Sequence, residues 1–155
     1  MIQGVGTKQL RSICDERGRL MEILRSDEPF FKGFGQVYLT TTYPGVVKAW
    51  HLHRLQADTA CCIRGEIQMV LYDPRGDSPT RGEVDEFVIG EDHLLLVSIP
   101  AGIYHGWKCV SPGEAFVINI PTEPYNHEQP DEYRLPPDSG EIPYRWVLTP
   151  GLRHG

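Results

Sequence analysis

The sequence predicts a single all-β domain, built as a sandwich or a small barrel. Thirteen prolines and sixteen glycines cut the 155 residues into pieces too short for several long helices. Between these breaks lie seven runs rich in β-branched or apolar residues, bounded by Gly, Pro and Asp at the spacing of strands in all-β domains. The predicted strands are 34–43, 46–51, 60–64, 66–73, 84–89, 94–99 and 115–120.

The segments that flank these strands follow from their turn residues. Near the start, Asp15 and Gly18 predict a turn before a strand over 20–24, and a short helix-like stretch covers 26–31. Arg64-Gly65-Glu66 predicts a tight hairpin. The segment 121–146 has six prolines in 26 residues, which excludes a helix or a central strand. We expect it to wrap the surface or to cover a barrel mouth.

Composition excludes several classes of partner. A net charge of −6 and an isoelectric point near 5.5 argue against general nucleic-acid binding, which needs a basic face. No apolar run approaches the ~20 residues of a membrane span, and the N-terminus has no apolar signal-like segment. The four cysteines form no CxxC pair, so we expect reduced thiols in a cytoplasmic protein without a membrane partner.

Three histidines and an aspartate form the strongest chemical pattern. His51 and His53 are two residues apart in a predicted strand, so both side chains lie on one face, with their Cα atoms about 7 Å apart. Such a pair is half of a metal site, because two imidazoles converge from one side. Asp58 follows as an oxygen donor, and His105 comes after a Pro-x-Gly turn in IPAGIYHGW.

The spacing of these residues resembles the two motifs of the cupins. The first motif is matched by Gly45, His51, His53, Asp58 and Gly65, with Asp where the family usually has Glu, and the second by Pro100, Gly102 and His105. The resemblance implies a cupin-type barrel, which is a double-stranded β-helix or jelly roll. It also implies a divalent metal ion held by His51, His53, Asp58 and His105.

A second resemblance covers residues 13 to 146. The blocks DERGRLMEILR, FGQVYLTTTYPGVVKAWH, SPTRGE and IPAGIYHGW follow in the order of the nucleotide-sugar 3,5-epimerases, whose founding activity acts on dTDP-4-keto-6-deoxy-glucose in rhamnose synthesis. KAWHLHR is also similar to a block of the related 3,4-ketoisomerases. This resemblance implies an isomerase without a cofactor and a homodimer. It further implies one domain over 1–155, in which about 1–35 form the exchanged dimer arm and 121–155 form the covering tail.

The epimerase resemblance also implies roles for individual residues. His51 is the base that removes a proton next to the ketone, and Asp138 orients it, with Asp131 as the alternative partner. Tyr125 is the candidate acid on the second face of the sugar. The residues expected to bind substrate are Arg17, Glu22, Gln36, Lys48, His105 and Asn119.

Three departures from the epimerase pattern keep other functions open. Asn119 stands where the family has its tyrosine acid, Asp58 where it has a pocket lysine, and His53 where it has a glutamine. The tyrosine acid and the pocket lysine are therefore absent from these positions, and Asp58 and His53 are residue types that bind metal ions. The alternatives are a metal-dependent cupin enzyme, in which His51 is a ligand and not a base, and a non-catalytic cupin that binds a nucleotide sugar.

Overall fold

The computed structural model describes residues 1–155 and contains twelve strands. In chain order they are β1 Gly6–Gln9, β2 Ser12–Asp15, β3 Gly18–Met21, β4 Tyr38–Thr42, β5 Val47–Leu52, β6 Asp58–Arg64, β7 Glu66–Tyr72, β8 Val84–Gly90, β9 Leu95–Ile99, β10 Tyr104–Cys109, β11 Ala115–Asn119 and β12 Tyr133–Arg134. The predicted all-β, cupin-type fold is confirmed. No helix in the structure is long and apolar enough to cross a membrane.

Two five-stranded antiparallel sheets face each other and enclose the core. The first sheet has the order β1-β9-β6-β11-β4, and the second has the order β12-β5-β10-β7-β8. The remaining pair, β2 and β3, forms a separate two-stranded hairpin. Because alternate side chains of a strand point to opposite faces, each strand sends one stripe of side chains into the space between the sheets.

The inward stripes build the main apolar core. β10 contributes Trp107 and Cys109, β11 contributes Ala115 and Val117, and β7 contributes Met69 with its inward neighbours. These side chains are at most 7 % exposed. Their burial supplies the hydrophobic free energy that holds the sheets together, at roughly 25 cal/mol per Å² of apolar surface.

A second cluster lies on the outer face of the second sheet and is covered by the proline-rich tail. Trp50 and Val70 on the sheet pack against Ile142 and Trp146 of the tail. The tail is tied to β5 by backbone hydrogen bonds in both directions between Trp50 and Leu135, at 2.8 and 3.1 Å. β12 lies at the edge of this sheet, consistent with the exclusion of a central strand from a segment so rich in proline.

Two segments near the N-terminus differ from the sequence-based expectation. The helix predicted over 26–31 is wrong: this segment forms turns closed by hydrogen bonds from Glu28 to Arg25 and from Phe31 to Glu28. Pro29 has no amide hydrogen and interrupts a longer ladder. The N-terminal strand predicted over 20–24 ends at Met21, because it pairs only with the four-residue β2.

Candidate active site

At one end of the sandwich the inward stripes change from apolar to polar. On β10 the stripe Cys109, Trp107 is followed by His105, and on β6 the stripe Cys62, Ala60 is followed by Asp58. On the neighbouring strands Asn119 of β11 and Tyr38 of β4 occupy the same end. The first sheet thus presents a carboxylate, an amide and a phenol, while the second sheet presents histidines.

Asp58 lies between two imidazoles that come from the opposite sheet. Its Oδ2 atom is 3.4 Å from Nε2 of His53 and 3.5 Å from Nε2 of His105. Its Oδ1 atom accepts a hydrogen bond of 2.9 Å from the amide of Gln56. We call His53, Asp58 and His105 the histidine–aspartate cluster, and their ligand atoms all lie within 4.8 Å of one another.

Both histidines of the cluster are held in one orientation by backbone carbonyls. Nδ1 of His53 contacts the carbonyl of Asp131, and Nδ1 of His105 contacts the carbonyl of Ile103 at 3.2 Å. A carbonyl only accepts, so each Nδ1 carries the hydrogen and each Nε2 faces Asp58. This arrangement leaves the two Nε2 atoms free to share a proton with the carboxylate or to bind a cation.

The protonation preferences in the cluster follow from burial and charge. Burial opposes the ionisation of Asp58, but the adjacent His53 and His105 outweigh it and lower the pKa of the carboxyl. Burial also opposes charge on His53, yet its contact with Asp58 raises the pKa of that imidazole. For His105 burial dominates and lowers the pKa. Of the two histidines beside Asp58, His53 is therefore the one that favours an ion pair, with a charged imidazole and a charged carboxylate.

His51 differs from the other two histidines because neither of its ring nitrogens has a hydrogen-bond partner. It lies directly opposite His105 in the β5–β10 register, with the ring centroids 6.1 Å apart. Burial and the nearby His105 lower the pKa of His51 to about 4. Its imidazole is therefore neutral near pH 7 and keeps an uncommitted lone pair.

A phenol and an amide meet on the first sheet. Tyr38 and Asn119 are cross-strand partners of β4 and β11, and Nδ2 of Asn119 donates a hydrogen bond of 2.8 Å to the phenol oxygen. The Asn119 side chain also contributes to lowering the pKa of Asp58. Its carbonyl oxygen is buried without a partner.

A large open cavity of about 1350 Å³ lies over this polar end. Tyr38, His53 and Gln56 form part of its wall, and residues of the tail between 123 and 134 form most of the rest. His51 does not reach this wall, but Arg134, its cross-strand neighbour on β12, does. The cavity therefore lies at the end of the sandwich where polar side chains from both sheets meet.

Among the residues expected from the sequence to bind substrate, some line the cavity and some do not. Gln36 and Tyr125 line it, and the ring of Tyr125 packs against His127 with the centroids 4.8 Å apart. Lys48 is away from the cavity, because its amine donates to the carbonyl of Thr41 at 2.7 Å and to the hydroxyl of Thr40. In this chain Lys48 ties the edge of one sheet to the edge of the other.

The residues expected to orient the base are not beside it. The carboxylate of Asp138 is exposed and makes no hydrogen bond, and the charges that act on His51 come from other residues. Asp131, the alternative, binds the backbone amides of residues 54, 55 and 56 at 2.8–3.1 Å. Its carboxylate closes the loop after β5, so in this structure neither aspartate contacts His51.

Arg17 and Glu22 lie at the β2–β3 hairpin, away from the cavity of their own chain. Arg17 is paired with Asp15 at 2.6 Å, and Glu22 is paired with Arg25 at 3.2 Å. These are exposed ion pairs, which contribute little to the stability of a fold. The role of both residues towards a neighbouring subunit stays a prediction.

Sequence reasoning missed Tyr38 and Gln56 as members of the site. Gln56 is recognisable only through its contact with Asp58, which the intervening loop creates. For Tyr38 a signal existed: Thr42, Thr40 and Tyr38 form a polar stripe along one face of a strand, which is unusual for an inward face. Its pairing with Asn119, 81 residues later, depends on the register of two strands and is not readable from the sequence.

The sequence of this chain is similar to those of known nucleotide-sugar epimerases and polysaccharide biosynthesis proteins. The family model described as dTDP-4-dehydrorhamnose 3,5-epimerase matches residues 1–152. The spore coat polysaccharide biosynthesis protein SpsL of Bacillus subtilis (strain 168) is 42% identical over 146 residues, which are 94% of this chain and 97% of that protein. A probable low-salt glycan biosynthesis epimerase of Haloferax volcanii is 43% identical over 147 residues, or 94% of each chain.

Solved structures show the same fold. A dTDP sugar isomerase from Desulfovibrio desulfuricans G20 superposes with a TM-score of 0.89 at 33% identity, covering 94% of this chain and 92% of that chain. The 3,5-epimerase RmlC of Legionella pneumophila Philadelphia 1, solved in complex with dTDP-4-keto-L-rhamnose, superposes with a TM-score of 0.83. It is 21% identical and covers 97% of this chain and 82% of that chain, so it informs on the fold alone.

Proposed function

Because the chain belongs to the dTDP-4-dehydrorhamnose 3,5-epimerase family, we propose that it epimerises a nucleotide-linked 4-keto-deoxysugar by removing a proton next to the ketone. The chain is an epimerase of nucleotide sugars, and its relatives are named for the biosynthesis of surface polysaccharide and glycan. One observation supports the proposed chemistry: the neutral, unpaired imidazole of His51 lies beside His105 on the second sheet, and His105 meets Asp58 of the first sheet at the polar end, where the cavity opens.

We propose His51 as the base. His51 lies in β5 and His53 directly follows this strand; both ring nitrogens of His53 face an oxygen, of Asp131 or of Asp58, whereas neither ring nitrogen of His51 has a partner. A low pKa keeps His51 neutral, and a neutral imidazole accepts the proton through its lone pair. A positioned general base of this kind contributes about 10²–10⁴-fold to the rate.

We propose that the pair of His53 and Asp58 stabilises the enolate. Removing the proton next to the ketone places negative charge on the ketone oxygen, and a fixed cation near that oxygen lowers the barrier. Contact with Asp58 raises the pKa of His53 and so favours its charged form, and His53 lies at the cavity wall. This ion pair stands in for the lysine whose position in the family pattern Asp58 occupies.

Deuterium incorporation tests the proposal directly. In D₂O, dTDP-4-keto-6-deoxy-glucose is expected to acquire deuterium at C3, at C5 or at both, and the His51→Asn variant is expected to lose at least about 100-fold of this rate. Absence of deuterium in the wild-type product would exclude this substrate. Uptake that persists in His51→Asn shows that another group is the base. Loss of uptake in His53→Asn would then identify His53 as that base. Tight binding of the nucleotide sugar without exchange supports the non-catalytic alternative.

One observation favours a second candidate, a metal-dependent enzyme. The two Nε2 atoms lie 3.4 and 3.5 Å from Oδ2 of Asp58, longer than the 2.7–2.9 Å of a charge-assisted hydrogen bond. Two ligands of one tetrahedral ion at about 2.0–2.1 Å lie roughly 3.3–3.4 Å apart, so the cluster fits such an ion. His53, Asp58 and His105 would hold it, and His51 lies outside this set. A bound divalent ion polarises a ketone.

Metal analysis of untagged protein separates the two candidates. Stoichiometric zinc, iron, manganese or nickel that is lost together with activity on chelation, and restored by the ion, supports the metal-dependent enzyme. Full activity in metal-free protein excludes it. The epimerase mechanism proposed first needs no cofactor, because proton transfer next to a ketone involves neither a redox change nor a transferred group.

We further propose a cytoplasmic homodimer of one domain each, in which the β2–β3 hairpin of one chain reaches the partner. Three observations support it: the hairpin stands outside both sheets, it exposes Ile13 and Leu20, and it carries Arg17, a cation suited to a diphosphate. The unpaired cysteines fit a reducing compartment. Light scattering should give twice the 17.6 kDa chain mass, and Leu20→Glu should shift it towards the monomer. A wild-type monomer would contradict the dimer.

A further inference from the structure

The phenol that this chain lacks on β11 has a counterpart one strand away. Where the epimerase pattern has its tyrosine acid, this chain has Asn119, and the residue directly opposite Asn119 on β4 is Tyr38. Directly opposed side chains in an antiparallel pair start about 4.5–5.5 Å apart at their Cβ atoms. A tyrosine on either strand therefore delivers its hydroxyl to nearly the same region of the cavity.

The hydrogen bond between the two residues leaves the phenol ready to donate. Nδ2 of Asn119 donates to the Tyr38 oxygen at 2.8 Å, so the hydroxyl hydrogen of Tyr38 is not used in this bond. The Tyr38 hydroxyl has no other hydrogen-bond partner in the protein, and Tyr38 lines the cavity. Burial, together with the charges of Asp58 and Glu132, raises the pKa of Tyr38, which keeps the phenol protonated at neutral pH.

The position of Tyr38 also satisfies the stereochemical requirement of an epimerase. Inversion needs the proton to leave from one face of the sugar and to return on the other. β4 belongs to the first sheet, whereas β5, which carries His51, belongs to the second. The phenol and the imidazole therefore come from opposite sheets, which is the arrangement that proton transfer on opposite faces of one sugar requires.

We propose that Tyr38 is the acid that protonates the second face of the enolate, and that Asn119 is a positioning residue that holds its hydroxyl. The C–H bond breaks as His51 takes the proton, and the Tyr38 O–H bond then breaks as the new C–H bond forms. The phenolate regains a proton from water in the open cavity, and the imidazolium returns its proton to water. This inference rests on the proposed epimerase function.

The partition between exchange and inversion tests the inference. In D₂O with dTDP-4-keto-6-deoxy-glucose, Tyr38→Phe is expected to keep deuterium exchange with retention, because the base still works on its own face. Formation of the inverted product should fall by at least about 100-fold. Asn119→Ala should reduce inversion less, because the phenol is still present. Tyr43→Phe, at an exposed site just after β4, is the matched control and should behave as wild type.

Each outcome decides between the proposals. Inversion in Tyr38→Phe at the wild-type rate overturns the role of Tyr38, and loss of inversion in Tyr125→Phe instead assigns the acid to Tyr125. Equal loss of exchange and inversion in Tyr38→Phe also overturns it, because an acid on the second face does not control proton removal. Wild-type protein with neither exchange nor inversion excludes the proposed reaction on this substrate, and the inference falls with it.

Discussion

Two buried aspartates, Asp58 and Asp73, stand at strand ends and are held in opposite ways. Both side chains are nearly inaccessible, at 3 % and 0 % exposure. Asp73 accepts five hydrogen bonds of 2.6–3.0 Å from Arg75, Ser78 and Thr80. Asp58 has one short hydrogen bond, from Gln56, and two long contacts to histidines.

The difference shows how to distinguish a carboxylate that stabilises a loop from one that is available for proton transfer or cation binding. Asp73 is saturated with donors, and its backbone also binds Gly82 and Glu83, so it closes the long loop between β7 and β8. Asp58 is undersaturated and faces groups that can exchange protons or bind a cation. Burial alone does not distinguish the two, whereas the number and length of the hydrogen bonds does.

The largest effect is expected from Asp58→Asn, measured as activity. An amide cannot keep His53 charged and is a poor ligand for a cation, so the epimerisation rate should fall by about 10²–10⁴-fold under either candidate mechanism. The rate is measured with a coupled assay on the nucleotide sugar. The thermal midpoint should stay close to that of wild type, and an active Asp58→Asn variant would contradict the chemical role of this carboxylate.

Asp73→Asn should have the opposite effect to Asp58→Asn: it should reduce stability and leave the activity of the folded protein unchanged. It replaces a charged acceptor of five hydrogen bonds and leaves Arg75 without its partner, so the free energy of unfolding should fall by about 2–4 kcal/mol. Urea denaturation at pH 7 measures the change. The rate per folded molecule should remain that of wild type, and a variant that is stable but inactive would refute the comparison.

The pH dependence of stability sharpens the contrast for Asp73. The Arg75 guanidinium, with the Ser78 and Thr80 hydroxyls, holds the pKa of Asp73 far below the value of about 3.9 in an unfolded chain. Its contribution is therefore present above about pH 4 and is lost as pH falls from there towards the folded pKa. Urea midpoints between pH 7 and pH 3 should fall more steeply for wild type than for Asp73→Asn. Parallel profiles would contradict this.

The smallest effect is expected from Ser78→Ala. It removes one of five donors, and the remaining four still satisfy the carboxylate of Asp73, so the loss should be about 1 kcal/mol. Urea denaturation beside Asp73→Asn shows whether the donors act additively. A loss as large as that of Asp73→Asn would mean that the loop opens as a unit.

The fold was predictable from sequence because the strands are short, apolar and bounded by Gly, Pro and Asp residues. The expected strand over 66–73 is found as Glu66–Tyr72, and Ala115–Asn119 fills nearly all of 115–120. The strand Tyr104–Cys109 was not predicted, since Gly106 and Lys108 interrupt its apolar pattern. Gly106 is required there, because a Cβ atom would lie 2.4 Å from the side chain of Ala49.

The candidate site was predictable only where local spacing carries the information. The HxH pair fixes His51 and His53 on one face, and the Pro-x-Gly turn precedes β10, whose register sets His105 opposite His51. The roles expected for Asp138 and Lys48 depended on where a distant segment folds, and in this structure neither side chain reaches the site. Tyr38 joins the site through a cross-strand register, which no local pattern encodes.

The tail that covers β5 also sets the order in which the molecule is completed during synthesis. β5 has β12 as its outer neighbour, and the amide of Val47 binds His154, 107 residues later in the chain. At a translation speed of about 5–20 residues per second, roughly 5–20 s pass between the two. During that time the strand that bears His51 is an uncovered edge, able to pair with another nascent chain. The outer edge of the strand that bears His51 is therefore the last strand edge of the two large sheets to be paired as the chain is made.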